Sequence, residues 1–418
     1  PLSTSFSLVS PSTLLYDSHA AAWQPGESMS AISNILSLFY IFRSLQLTAV
    51  IWREWQGITQ EPLTRHKKQL AEQASFFIAV PIGVFFHEFS HSLATWASGG
   101  QVVEFAYRAF WGYIIPSGQF TPFQYWFISL AGTLGSLLFG LTVWLLLRHH
   151  RYSALRYFGL RAFRFQVYFS LIYYPVFTLL GFEGDWRMIY DFGATPLWSG
   201  VTAVFHIALL FLFWQGDRRG WFEMLAHDSL AYQDAFHALA ASVRDTLDTQ
   251  TQIRYIDALR RGGAVNKAKY QLAQLLRTMP DSGSAHLEMA LLLSEGKRQV
   301  PLRAIEHTRQ ALSLGLPNNI SAAFAHQLLG KYNLDISHLE EADSHISQAI
   351  ALTQTEPESD PLQLARLYHL HSQVSRQQRQ MQRAHADLQQ ALSLAQTTAN
   401  EQAIAYYQGE LDVIGQDR

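Results

Sequence analysis

The sequence predicts an all-α protein in two parts: a polytopic helical membrane domain with a small β hairpin, then a soluble α-helical repeat (solenoid) domain. Long apolar runs rich in Phe, Leu, Trp and Tyr are confined to residues 74–215, whereas residues 217–418 are rich in Gln, Ala, His, Arg and acidic side chains. A short helical pattern also recurs in the polar half. We therefore expect a flexible N-terminal tail (1–30), a membrane-embedded domain (31–216) and a repeat domain (217–418).

The apolar half contains segments that can cross a bilayer, which takes about 20 mostly apolar residues. The four clearest are Ala74–Ser98, Gln124–Leu147, Ala162–Phe182 and Leu197–Gln215. Ile32–Trp52 is a weaker candidate because Arg43 lies in its middle, and the alternative for it is an amphipathic helix at the membrane interface.

The loops of the apolar half differ in their basic residues, and this difference predicts the orientation of the chain. Lys and Arg are concentrated after Trp52, after Leu147 and after the last span, while the intervening loops carry a single Arg each. Basic loops stay in the cytoplasm, so we expect a multi-pass protein, in a bacterial cell membrane, with a cytoplasmic C-terminal domain.

Residues 99–123 differ from the apolar helices around them. Aromatic and β-branched residues alternate there between Gly99-Gly100 and the pair Pro116 and Gly118. This pattern predicts a short β hairpin. At membrane depth, such backbone has to be satisfied by protein or water.

The polar half repeats one helical motif. Its copies begin with a small residue at Ala268, Ala304, Ala342 and Ala384, spaced by 36, 38 and 42 residues. The motif resembles tetratricopeptide repeats of irregular length, in which stacked helix pairs bury each other's apolar faces. That resemblance implies a protein partner on the repeats. The alternative is a plain helical bundle without a ligand.

The sequence His87-Glu88-Phe89-Ser90-His91 carries the most specific chemical signal. Helical positions i and i+4 share a face, so both imidazoles can bind one metal ion, and Zn²⁺ is the ion that this motif holds. Each charged side chain in the centre of a membrane helix costs about 2.5–3.5 kcal/mol, so three ionisable residues in five positions are hard to explain by packing. A polar cluster that fixes helix contacts is the alternative.

A catalytic zinc site needs a third protein ligand, which the motif does not supply. Glu183 and Asp185 follow the segment 162–182, which runs parallel to the motif helix in the predicted topology. We prefer Asp185 and keep Glu183 as the alternative. His206, in the last span, is a third possibility, but a histidine with hydrogen bonds inside the core is favoured there.

With these residues the chain resembles the site-2 proteases over about residues 74–215. The resemblance implies that His87 and His91 bind zinc and that Glu88 is the catalytic base. The chain departs from the family's usual Leu-Asp-Gly run, whose place Leu179-Leu180-Gly181 takes. Either the chain belongs to a divergent subgroup that uses Asp185, or its site is impaired.

Composition narrows the functional classes. A net charge of −2 gives no basic field for nucleic acid, and the absence of cysteine excludes disulfides, thiolate catalysis and cysteine zinc sites. We predict an intramembrane zinc metalloprotease that hydrolyses membrane-protein or peptide substrates, with Glu88 activating a zinc-bound water and the repeats recruiting or gating substrate. The alternatives are an inactive membrane-anchored scaffold and, less favoured because intramembrane acids are few, a zinc or proton transporter.

Overall fold

The computed structural model describes residues 27–181, 184–245, 248–357 and 360–416. The chain divides into two compact units, of which the first runs to His237 and includes Gly262–Ala264. The second comprises Ala238–Arg261 and the chain from Val265 onward. The boundary between the two units falls within a helix. It lies about 20 residues after residue 217, where the composition of the chain changes and the last apolar helix ends.

The first unit contains four helices that are long and apolar enough to cross a membrane: Ile35–Ile58, Arg65–Ala97, Pro122–Leu147 and Pro196–Arg218. The first of them belongs to helix α1 (Glu27–Ile58), which also includes residues that we assigned to the tail. The weaker candidate span 32–52 therefore meets the same length and composition criteria as the clearer ones.

The motif helix is the second of these four, and it is interrupted once. It consists of α2 (Arg65–Phe77) and α3 (Ala79–Ala97), which meet at Ile78. Pro81 lies four residues after Phe77 and has no N–H, so the Phe77 carbonyl loses its usual helical donor. The hydroxyl of Ser44 in α1 donates a hydrogen bond to that carbonyl instead.

The predicted span 162–182 is not one of the four candidate helices. The chain there forms α5 (Ser153–Tyr168), a π-helical turn (Phe169–Tyr173) and α6 (Tyr174–Leu179), which follow one another directly. The reason is local: Pro175 cannot donate to the carbonyl four residues earlier, and several arginines lower the hydropathy of α5. The short α7 (Trp186–Ile189) and the long α8 (Pro196–Arg218) complete the apolar region.

The predicted hairpin is confirmed. Strand β1 (Gln101–Tyr107) pairs antiparallel with β2 (Gly112–Ser117), and the register is irregular between Val102 and Glu104. The Tyr107 hydroxyl donates to the Pro81 carbonyl at 3.0 Å, which attaches the hairpin to the motif helix. Helix α4 (Pro122–Leu147) follows, and the Thr121 side chain caps its first turn.

The rest of the described chain is helical and ends in a run of helix pairs. The helices are α9 Leu230–Asp245, α10 Thr249–Arg261, α11 Val265–Thr278, α12 Gly283–Ser294, α13 Leu302–Leu314, α14 Asn319–Asp335, α15 Leu339–Gln354, α16 Pro361–Gln377, α17 Met381–Thr397 and α18 Glu401–Gln416. They give the second unit its all-α character.

The repeat predicted from the sequence corresponds to a repeated pattern of buried positions in the helices. The four alanines that begin its copies, Ala268, Ala304, Ala342 and Ala384, have no exposed surface. The residues four positions later, Leu272, Thr308, Ile346 and Leu388, are also fully buried. Each copy thus places a small residue and a second buried residue on one face, one turn apart, where the neighbouring helix packs.

Candidate metal centre

Two histidines of α3 and one aspartate before α7 converge on one point. His87 and His91 lie one helical turn apart, and their ring centroids are 4.7 Å from each other. The Asp185 Oδ2 atom lies 3.0 Å from His87 Nε2 and 3.2 Å from His91 Nε2. Among the described residues, these three side chains form a group that could hold a metal ion, with all ligand atoms within 4.8 Å of one another.

Hydrogen bonds on the far side of each imidazole determine how the ring faces this point. His91 Nδ1 donates to the Ile128 carbonyl at 2.7 Å, so the proton is assigned to Nδ1. His87 Nδ1 lies 3.2 Å from Ser136 Oγ, whose hydroxyl donates onward to the Gly83 carbonyl at 3.4 Å. With their protons on Nδ1, both rings would present an unprotonated Nε2 to Asp185, which is the tautomer that binds metals.

This tautomer assignment has an electrostatic consequence. In this tautomer, the Asp185 Oδ2 atom faces the His87 Nε2 lone pair at 3.0 Å and the His91 Nε2 lone pair at 3.2 Å, and all three atoms are hydrogen-bond acceptors. Three converging acceptors repel one another unless a proton or a metal ion lies between them. Asp185 is 4% exposed and His91 is 1% exposed, so water cannot screen that repulsion effectively. The donor set and its geometry fit a metal ion.

The close packing of α4 against the motif helix depends on two glycines. A Cβ atom at Gly132 would lie 2.3 Å from His91 Nε2 and 2.6 Å from His87 Nε2. At Gly135 it would lie 2.0 Å from Ser90 Oγ. The glycine-rich run Ser129–Gly140 thus brings the backbone of α4 to the imidazoles, and the same helix carries both of their outer hydrogen-bond partners.

Glu88 lies beside this point, under the hairpin. Its side chain is buried, and a Cβ atom at Gly112 would lie 2.6 Å from Glu88 Cγ. The first residue of β2 therefore packs directly on the Glu88 side chain. Adjacent positions of a helix differ by about 100°, so Glu88 projects to one side of the imidazole pair. It is not a member of the three-residue group.

Asp185 is held by backbone and aromatic contacts. Its amide N–H donates to the Tyr174 hydroxyl at 3.2 Å. The next residue, Trp186, is 3% exposed and packs against the His206 ring with centroids 4.6 Å apart. Glu183, the alternative ligand, lies outside the described residues, so its position cannot be compared with that of Asp185.

His206 is the hydrogen-bonded core histidine that the sequence favours. Its Nε2 donates to the Leu171 carbonyl at 2.7 Å, and its Nδ1 accepts from the Tyr190 hydroxyl. Leu171 lies four residues before Pro175, so this carbonyl is the one that the proline deprives of its helical donor. With both nitrogens engaged, His206 is a core histidine with satisfied hydrogen bonds.

Two histidines of an apolar helix and one aspartate, of which His91 and Asp185 are buried, thus form the candidate metal centre. Residues 77–215 match the Peptidase M50B-like family model. No curated protein is significantly similar to the chain. The matched region contains the whole group and Glu88, and it ends before the helix pairs begin. The match supports the site-2 protease family for this region, and with the four apolar helices it supports a membrane protein.

A substitution in the Peptidase M50B-like region tests the contact between α4 and the two imidazoles directly. We expect Gly132→Ala to weaken Zn²⁺ binding about 10- to 100-fold, because the added methyl group displaces imidazoles whose orientation sets metal affinity. Competition with a chromophoric chelator measures this affinity. Gly200→Ala is the matched control, because a Cβ there meets nothing within 4 Å. Equal affinities in both variants would contradict the role of Gly132.

Proposed function

We propose that this chain is a zinc-dependent intramembrane metalloendopeptidase of the site-2 protease type. The observation that carries the proposal is the convergence of His87 and His91, on an apolar helix, with the buried Asp185, next to the buried Glu88. The family match over residues 77–215 supports the same reaction class. Its substrates would be membrane proteins or peptides that enter the bilayer.

The group fits zinc better than it fits Ca²⁺ or Mg²⁺. Two imidazole nitrogens and one carboxylate oxygen are the ligands that catalytic zinc commonly takes, whereas Ca²⁺ and Mg²⁺ prefer six or more oxygens. Ligands at about 2.0–2.1 Å from a tetrahedral ion lie about 3.3 Å apart, and the observed Nε2–Oδ2 distances are 3.0 and 3.2 Å. When bound, zinc supplies a Lewis acid that polarises a peptide carbonyl and acidifies water.

The chain's own residues perform the proton transfers and hold the substrate. Glu88 takes the proton of the attacking water and delivers it to the leaving amine, as a general base and then a general acid. Its burial under β2 keeps bulk water away from the transfer. A helical substrate has to unwind before its peptide bond is accessible, and the largely exposed strand β1 can pair with the extended segment.

The helix pairs provide a second function in this proposal. The repeated burial of Ala268, Ala304, Ala342 and Ala384 supports a stacked helical domain, and such stacks present continuous surfaces for protein partners. We propose that this domain is cytoplasmic, that it recruits or gates substrate, and that the protein resides in a bacterial cell membrane. The distribution of Lys and Arg among the loops supports this orientation.

Metal content tests the proposal. We expect the purified full-length protein to contain about one zinc ion per chain by mass spectrometric metal analysis, and His87→Ala with His91→Ala to lose it, because two of the three ligands are removed. His149→Ala, in an exposed loop position, is the matched control and should retain the metal. A folded wild-type chain without zinc would overturn the proposal and favour the inactive scaffold.

A further inference from the structure

Tyr174 contacts two of the three candidate ligands, and the proposed reaction assigns it no role. Its hydroxyl oxygen accepts a hydrogen bond from the Asp185 amide at 3.2 Å. Its ring meets the His87 ring edge to face, with centroids 5.7 Å apart and an angle of 66° between the planes. Tyr174 thus adjoins the candidate metal centre at both Asp185 and His87.

The surrounding chain is shaped to permit this contact. A Cβ atom at Gly184 would lie 2.9 Å from the Tyr174 hydroxyl oxygen, 2.9 Å from its Cε2 and 3.0 Å from Thr178 Oγ1. Any larger residue at position 184 would push the Asp185 amide away from the phenol. Tyr174 itself is the first residue of α6, directly after the π-helical turn, and its carbonyl accepts a bond from the Thr178 hydroxyl at 3.1 Å.

Asp185 needs such an anchor because its own segment is short. It precedes α7, which has only four residues, whereas the two histidines lie on the 19-residue helix α3. The histidines are oriented by a long helix and by hydrogen bonds from α4. For Asp185, the Tyr174 hydroxyl provides the corresponding fixed point, since its oxygen accepts the Asp185 amide N–H.

We infer that Tyr174 is a positioning residue for the third metal ligand. Its hydroxyl holds the Asp185 backbone so that Oδ2 faces the Nε2 atoms of His87 and His91. The inference rests on the proposed function, because it assumes that the group binds zinc. It assigns the role to a residue that the sequence does not single out, one position before Pro175.

Zinc affinity of the full-length protein in detergent tests the inference. Tyr174→Phe keeps the ring contact with His87 and removes only the hydroxyl, so we expect the zinc Kd to rise about 10- to 100-fold, as for other outer-shell partners of metal ligands. Tyr173→Phe is the matched control, because Tyr173 is the neighbouring tyrosine and is 40% exposed. It should leave the zinc Kd unchanged. Circular dichroism verifies that both variants are folded.

A double-substitution cycle with Asp185→Asn separates positioning from other roles. If Tyr174 acts through Asp185, adding Tyr174→Phe to Asp185→Asn should change the zinc Kd no further, because the carboxylate that the hydroxyl positions is already lost. Excess zinc should also restore much of the cleavage that Tyr174→Phe alone loses.

The possible outcomes distinguish the inference from the proposed function. An unchanged zinc Kd in Tyr174→Phe, with wild-type zinc content normal, overturns the positioning role alone, whether cleavage falls or not. Fully additive effects in the double variant overturn it as well. A folded wild-type chain that binds no zinc overturns the proposed metallopeptidase, and the inference with it.

Discussion

Replacing Glu88 by Gln is expected to abolish peptide hydrolysis while leaving zinc binding close to that of the wild type. The amide keeps the size of the side chain and its packing under Gly112, but it cannot accept the proton of the attacking water. General acid and base catalysis by one side chain contributes about 10²- to 10⁴-fold, and the expected loss of kcat lies in that range or above it.

The measurement pairs cleavage with metal content in the same preparation. Labelled casein and a set of single-span reporter proteins serve as substrates, and zinc is quantified by mass spectrometry. Glu54→Gln is the matched control: the same substitution is made on the exposed surface of α1, where Glu54 Oε2 lies 2.7 Å from His66 Nε2. If Glu88→Gln cleaves at the wild-type rate, the assignment of the base is wrong.

Asp185→Asn is expected to weaken zinc binding by at least about 100-fold and to abolish cleavage. The substitution removes the negative charge that two imidazole nitrogens face at 3.0 and 3.2 Å, and a neutral amide is a poor ligand for zinc. Loss of outer-shell partners already costs 10- to 100-fold in affinity, so loss of a ligand costs more.

Two further variants test whether this result is specific to Asp185. Asp191 lies in the same connecting segment, and its side chain accepts hydrogen bonds from the amides of Gly193 and Ala194. The Asp191→Asn variant should retain zinc. Glu183→Gln tests the alternative ligand and should retain most zinc. If Glu183→Gln loses zinc and cleavage while Asp185→Asn keeps both, the third ligand is Glu183.

Local patterns in the sequence predict the elements of this fold well. The apolar runs, the Gly and Pro residues around 99–123 and the periodic alanines of the polar half each depend on neighbours within a few residues. The fold class and the hairpin are accordingly confirmed. The segment 162–182 is the exception: its apolar composition predicts a membrane span, but a π-helical turn precedes Pro175 and the arginines of α5 lower its hydropathy.

The candidate site could be predicted only in part. The i, i+4 spacing brings His87 and His91 together, but Asp185 is 98 residues from His87, and the sequence left its position open between two acids. The sequence did not identify Ser136, Ile128 and Tyr174 as hydrogen-bond partners of the candidate ligands, because these contacts depend on how the helices pack. The glycines of α4 that contact the motif helix and the Tyr-Pro pair at the start of α6 are the signals that could have indicated them.

The two carbonyls that prolines leave without helical donors bear on the order in which the chain is assembled. In hydrocarbon, an unsatisfied carbonyl costs several kcal/mol, so each one has to find its donor before its helix is stable in lipid. The donor for Phe77 is Ser44, which the ribosome makes earlier, and that helix can be completed as it emerges. The donor for Leu171 is His206, which is made 35 residues later. We therefore expect the segment that contains Tyr174 to be complete only after the last apolar helix has been made. A nascent chain that stops before His206 should leave the candidate metal centre unassembled.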